Sequence, residues 1–312
     1  MKSRLFMKIT EDDFTQLVNK AMQDNNVTHM RPVIEKELLH YDILFCLEDS
    51  GLLDNLVFQG GTSLRLCRGG NRFSEDLDFA GGKDFSSGML SKMKNCLQDY
   101  LGKRYGLEVL IKEPSTLKES AEYAELNIDK WQISIITAPD RKEVPRQRIK
   151  IEVANVPAYT KEAVPLKVNY DFLPDGYEDT LIFTETLDEV MADKLVSLPA
   201  TQRYVRYRDI WDLSWLKQQG AVVQPELVQR KITDYRLTDY PDRLELMINK
   251  IPDIVASTDF KNEMKRFLPT DVYDRTLGKE KFEGFLVNTV TGLFKELKKA
   301  LSGQQVEPEF RL

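Results

Sequence analysis

Phe58–Ala80 reads F-Q-G-G-T-S-L-R-L-C-R-G-G-N-R-F-S-E-D-L-D-F-A, and this stretch decides the fold. A short apolar run, Leu56-Val57-Phe58, marks the end of a buried strand. Gly60 and Gly61 follow, then a helical turn whose apolar residues are Leu64 and Leu66. The stretch closes on Asp76-Leu77-Asp78-Phe79, where acidic and apolar positions alternate. Alternate side chains of a strand share a face, so Asp76 and Asp78 point together while Leu77 and Phe79 enter the core. Two carboxylates about 6–7 Å apart along a strand suit divalent cations better than a salt-bridge partner.

The glycine pair supplies the other half of the pattern. Between a strand and a helix it lets backbone N–H groups approach a phosphate, aided by the positive end of the helix dipole. Thr62 and Ser63 add hydroxyls at the helix start, and Arg65, Arg68 and Arg72 add positive charge around it. A polyphosphate on glycines and arginines, with Mg²⁺ on paired aspartates, is the layout of nucleotidyl transfer. Either half alone is a weak signal; together within one short stretch they are specific.

The string G-G-T-S-L-R-L…R-F-S-E-D-L-D-F resembles the DNA polymerase β-type nucleotidyltransferases, and within them the AbiEii/AbiGii toxin family. The resemblance spans roughly residues 35–216. It implies an α+β fold, in which a polymerase β-like domain (a mixed sheet flanked by helices) precedes a helical C-terminal domain that completes the active-site cleft. It also implies a Mg²⁺-dependent enzyme using an NTP (GTP or a pyrimidine NTP) and neutralised by a cognate antitoxin from an adjacent gene. The setting would be a type IV toxin–antitoxin or phage abortive-infection system.

The family uses a third carboxylate on a neighbouring strand, which helps hold the metal and takes the proton of the attacking hydroxyl. Glu152 fits that place: in R-I-K-I-E-V-A (148–154), Ile149, Ile151 and Val153 face one way and Arg148, Lys150 and Glu152 the other. Glu108 and Asp129 are weaker candidates, lacking that strand context. The family also carries a Lys on one helix and an Arg-Asp-x-x-Asp-Leu element on the next. Lys194 and Arg208-Asp209-Ile210-Trp211-Asp212-Leu213 match.

By this resemblance the triphosphate-binding set is Gly60, Gly61, Thr62, Ser63, Arg65, Arg72, Lys194 and Arg208, with Arg68 near it. The metal set is Asp76, Asp78 and Glu152, and Asp209 orients Lys194 or a nearby Arg. Arg203, Arg206 and Arg208 interleave with Tyr204 and Tyr207 as a candidate RNA-facing patch. The implied acceptor is the tRNA 3′ end; a protein hydroxyl or a small molecule stays open, as does a catalytically silent NTP-binding module.

Composition bounds the rest. A chain of 312 residues, 42% apolar and 30% charged, is that of a soluble globular protein with room for two domains. Three cysteines without metal-ligand spacing read as buried thiols of a reducing cytoplasm, and two histidines without neighbours exclude a zinc site or a His-based triad. A net charge of −6 argues against a general nucleic-acid coat but not against a local basic patch. No apolar run is long enough to span a membrane, the N-terminus lacks a signal-peptide core, and a cytoplasmic monomer is expected.

Along the chain, helices are expected over 9–26 (capped by Thr10), 32–49 and 85–105, with His40 as a structural residue on the second. Strands are expected over 107–111, 131–138 and 148–154, with a basic loop between the last two. Residues 155–185 are Pro-rich and irregular, with strand-like pieces at 166–170 and 181–183, and the domain junction falls here: 1–184 as the nucleotidyltransferase domain, 185–312 as the helical one. Helices are then expected over 186–198, 203–219, 224–236, 241–257 and 277–302, the last contributing Phe282, Phe285, Leu286, Val290, Leu293 and Phe294 to a core. The tail 304–312 is expected to be loose.

Overall fold

The computed structural model describes residues 13–114, 128–137, 146–173 and 176–303. The Thr10 cap, the basic loop of 138–145 and the tail 304–312 lie outside them. The chain divides into two compact units, 1–184 and 185–312.

The first unit is built on a seven-stranded mixed sheet. Its strands are β1 (Val57–Gln59), β2 (Leu77–Ala80), β3 (Glu108–Lys112), β4 (Ile128–Ile136), β5 (Gln147–Ala154), β6 (Glu162–Pro165) and β7 (Leu181–Thr184), in the order β3-β4-β5-β2-β1-β7-β6. β2 runs parallel to β5 and β1 parallel to β7; the other pairs are antiparallel. One face is mostly apolar: Phe79, Trp131, Ile133, Ile149, Ile151 and Val153 are buried, and Phe58 stacks on Phe79 with ring centroids 5.0 Å apart. On the other face of β4 and β5 lie Lys130, Gln132, Arg148, Lys150 and Glu152, none of them buried.

Among the described residues, four α-helices belong to this unit: α1 (Phe14–Ala21), α2 (Arg31–Asp49), α3 (Gly60–Arg68) and α4 (Met93–Tyr105). Asp13 caps α1 by accepting from the Thr15 and Gln16 N–H groups, an N-cap use of a short acceptor side chain. α4 is shorter than expected, because Ser86-Ser87-Gly88 favours a 3₁₀ turn (Ser87–Leu90) over a helical first turn. The strand expected over 166–170 is displaced to β6, whose Pro165 sits on an outer strand where its missing N–H costs no ladder bond. Residues 166–169 are instead tied to the helices: the Lys167 N–H donates to Leu66 O at 2.7 Å, and the Tyr41 hydroxyl donates to Lys167 O at 2.6 Å.

The cysteine expectation is corrected. Cys46 and Cys96, read as separate thiols, are joined in a disulfide between α2 and α4, with Cα atoms 6.9 Å apart. These helices pack side by side and bring together positions 50 residues apart in sequence, which spacing alone does not disclose. Cys67 is free, and burial pushes its thiol up to about 12.

The second unit is helical: α5 (Leu187–Ala200), α6 (Tyr207–Gln218), α7 (Pro225–Asp234), α8 (Tyr240–Ala256), α9 (Thr258–Phe267), α10 (Thr270–Arg275) and α11 (Glu280–Leu301). α6 starts four residues later than expected, leaving Arg203 and Tyr204 outside it. α9 and α10 were not expected. On α11, Leu286, Val290, Leu293 and Phe294 are buried as expected, whereas Phe285 is 43% exposed. Among the described residues no helix is long and apolar enough to cross a membrane.

Ile151 sits at the centre of the sheet, between Leu77 and Trp131. Ile151→Ala should cost roughly 2–5 kcal/mol, the range for emptying such a position, read as a lowered urea midpoint at unchanged slope.

Candidate active site

The site starts from strand register. β2 and β5 align Asp78 with Glu152 and Leu77 with Ile151, so the two acidic side chains are neighbours on the polar face while the apolar ones share the core. Antiparallel pairing of β1 and β2 sets Gln59 opposite Asp78, which brings the glycine pair to the same end.

Asp76 immediately precedes β2, and two contacts hold it. The Thr62 hydroxyl donates to the Asp76 carbonyl. The Lys150 N–H donates to Asp76 Oδ1 at 3.2 Å. One residue earlier, α2 grips Glu75: Lys36 Nζ lies 2.7 Å from its carboxylate, and His40 Nε2 donates to its carbonyl at 3.0 Å. His40 is fully buried, and desolvation lowers its pKa to about 4 against the upward pull of that hydrogen bond, leaving it neutral at pH 7. Its place is structural, as expected.

Each glycine answers to a different neighbour. Gly60 has φ +77°, and a Cβ there would stand 2.6 Å from Asp78 Oδ2. A Cβ on Gly61 would stand 2.2 Å from Arg72 Nη2. The Asp78 carboxylate and the Arg72 guanidinium thus both lie against the backbone at the start of α3. Arg72 is buried and also donates to Phe73 O at 2.9 Å. Ser63, buried beside them, donates its hydroxyl to Gly60 O at 2.9 Å.

The other two arginines of the stretch face elsewhere. Arg65 makes a two-pronged pair with Glu37, at 2.8 and 3.0 Å, donates to Gly70 O and stacks on Phe73 at 4.2 Å. Arg68 bridges Glu162 at 2.5 Å and the Thr184 hydroxyl at 2.9 Å. Of the three, Arg72 is the one on the glycine pair. Asp129 is buried on the core face of β4, away from Glu152, and Glu108 is exposed at the start of β3.

Glu152 is paired with Lys130, its register partner on β4, at 2.9 Å. Sequence reasoning passed over Lys130, although the alternation I-D-K-W-Q-I-S in 128–134 places it on the polar face. Among the described residues no three carboxylate, imidazole or thiolate groups converge on one point. The donors are nonetheless those Mg²⁺ takes, since it uses one or two carboxylates and substrate phosphates rather than a closed protein cage. Asp78 and Glu152, neighbours by register, are two carboxylates of that kind.

In the second unit, Lys194 Nζ lies 2.9 Å from Asp209 Oδ1 and 2.7 Å from Asp212 Oδ2, all three buried. Asp209 also accepts from Ser197 Oγ at 3.0 Å and from Arg206 Nε. Burial alone would raise the Asp209 carboxyl; Arg206 and then Lys194 outweigh it and hold it far below the usual carboxylate range. Arg208 points to Glu263, at 3.7 Å, and lies over the Phe267 ring. The expected Arg-Tyr patch is therefore split, with Arg206 turned inward and Tyr204 exposed.

The family model for the nucleotidyl transferase AbiEii toxin of type IV toxin–antitoxin systems matches residues 42–288. The chain belongs to this family, and it is a nucleotidyltransferase. AbiEii membership implies an NTP substrate and an antitoxin partner. No curated protein matches. The fold is similar to that of MenT4, the nucleotidyltransferase toxin Rv2826c from Mycobacterium tuberculosis H37Rv, at 16% identity and a TM-score of 0.52, covering 95% of this chain and all of that one. JHP933 from Helicobacter pylori matches at 20% identity and a TM-score of 0.47, over 87% and 95% of the two chains.

Two outcomes follow. Gly60→Ala adds a side chain at positive φ, costing about 1–2 kcal/mol, and pushes Asp78 aside. Nucleotidyl transfer should fall on the order of 100-fold, as for an ångström-scale misplacement, with near-ultraviolet circular dichroism unchanged. Asp209→Asn should lower stability at pH 7 by about 3–5 kcal/mol, by leaving the buried Lys194 short of a partner. The folded pKa of Asp209 is depressed, so its contribution is full above about pH 4 and shrinks as pH falls further. Urea unfolding of both proteins across pH checks that the gap closes on the acid side.

Proposed function

We propose that this toxin transfers NMP from an NTP to an acceptor hydroxyl, the 3′ end of tRNA, and thereby stops translation and growth. Carrying the reading is the register of β2 and β5, which puts Asp78 beside Glu152 with Gly60 against the Asp78 carboxylate. Asp76, Asp78 and Glu152 hold Mg²⁺, which when bound neutralises the phosphates and polarises the reacting oxygens. Gly60, Gly61, Thr62 and Ser63 present the start of α3 to the triphosphate, and Arg72 supplies the adjoining positive charge. Glu152 accepts the proton of the attacking hydroxyl. The acceptor oxygen forms a bond to the α-phosphorus, the bond from that phosphorus to the bridging oxygen breaks, and pyrophosphate leaves. In the helical domain, Lys194, kept in place by Asp209 and Asp212, and Arg208 are kept as triphosphate-binding residues on the family resemblance alone.

The protein acts in the cytoplasm as a monomer, in a toxin–antitoxin or abortive-infection setting, until a cognate antitoxin binds it. The test is a labelling reaction with purified protein, Mg²⁺, total tRNA and each of the four α-labelled NTPs in turn. The expected result is label in tRNA with wild type and none with Asp76→Ala/Asp78→Ala. Label in protein or in a small molecule instead would discard the acceptor and keep the chemistry. NTP binding without any transfer would leave a silent nucleotide-binding module.

A further inference from the structure

The polar face of the sheet continues from the acidic residues into a basic groove. Along β5, Glu152, Lys150 and Arg148 stand opposite Lys130, Gln132 and Ser134 of β4, and Gln132 and Ser134 in turn stand opposite Lys112 and Leu110 of β3. At the far end of these rows is a concavity of about 360 Å³ whose lining includes Lys94, Lys112, Gln132, Ser134, Arg146 and Arg148. Among the described residues no carboxylate lines it, and the four cations that do are exposed. In a chain of net charge −6, a concave surface of one sign selects a polyanion.

We infer that this groove holds the phosphodiester backbone of a single-stranded RNA acceptor, with its 3′-hydroxyl at Asp78 and Glu152. The inference rests on the nucleotidyl-transfer reading and adds where the acceptor lies. Arg148 is four residues from Glu152 along β5, about 13 Å at the strand rise, or about four steps of a stacked strand at 3.4 Å each. The cations therefore meet phosphates several nucleotides inside the end. Gln132 and Ser134 add hydrogen-bonding groups between them, while the acidic end receives the hydroxyl. This places RNA on the sheet rather than on the Arg203–Arg208 segment, where Arg206 is committed to Asp209.

The experiment uses the full chain and a short 5′-fluorescein-labelled RNA with a free 3′-hydroxyl, titrated by anisotropy without NTP over a range of salt. Lys112→Glu/Arg148→Glu should weaken binding at least ~10-fold and flatten the log–log salt slope by about 1.4, for two lost phosphate contacts on a single strand. Its NTP affinity should match wild type, separating the RNA's phosphates from those of the nucleotide. Unchanged RNA affinity and slope in this variant would overturn the groove, whether or not wild type transfers nucleotide. RNA binding by wild type that ignores salt, or that an acidic polypeptide (poly-glutamate) displaces as readily as unlabelled RNA, would overturn it too. Failure of the transfer reading shows separately, as a wild type inert with every NTP. Both substituted residues are exposed, and a matching thermal midpoint confirms the fold.

Discussion

Everything at the acidic end of this molecule depends on one alignment, the parallel pairing that sets Asp78 against Glu152. Strand side chains alternate, so a slip of one residue would turn Glu152 into the core and Ile151 out of it. The apolar residues that flank the acidic ones prevent that slip. Leu77, Phe79, Ile151 and Val153 are all at 1% exposure or less, so hydrophobic burial enforces the position of the polar groups. The geometry of the acidic pair is here a by-product of packing.

The approach to that alignment is fixed from α2 and α3. Lys36 and His40 hold Glu75, and Thr62 holds the Asp76 carbonyl, so the residue that precedes β2 is already oriented when the strand begins. The arginines divide the remaining labour. Arg65 and Arg68 bind the loop and the β6–β7 side to α3, while Arg72 remains at the glycine pair. The helical unit shows a comparable economy. Lys194 meets two carboxylates at once, and Lys231 lies within 3.3 Å of Glu185, Glu189 and Asp193, so the face of α5 carries its charge in compensated clusters.

Much of this was legible in the sequence because it is local. The alternation of 148–154 announced β5 and the outward side of Glu152, and the strand–Gly-Gly–helix order announced α3. α9 was legible too and was passed over: Ser257 caps it, and Phe260, Met264 and Phe267 recur at helical spacing. What spacing did not disclose are the long-range choices. Nothing local distinguishes Arg72 from Arg65; the difference is Glu37, which lies 28 residues away on α2. The union of Cys46 with Cys96 and the pairing of Lys130 with Glu152 are likewise products of packing between distant segments.

Pro165 has a further consequence. It stands in the outermost strand, β6, which also carries Glu162, and both features blunt an edge against the addition of a foreign strand. The opposite border, β3, is flanked by α4 and carries exposed charges at Glu108 and Lys112. A sheet closed in this way at both borders resists fibrous self-association.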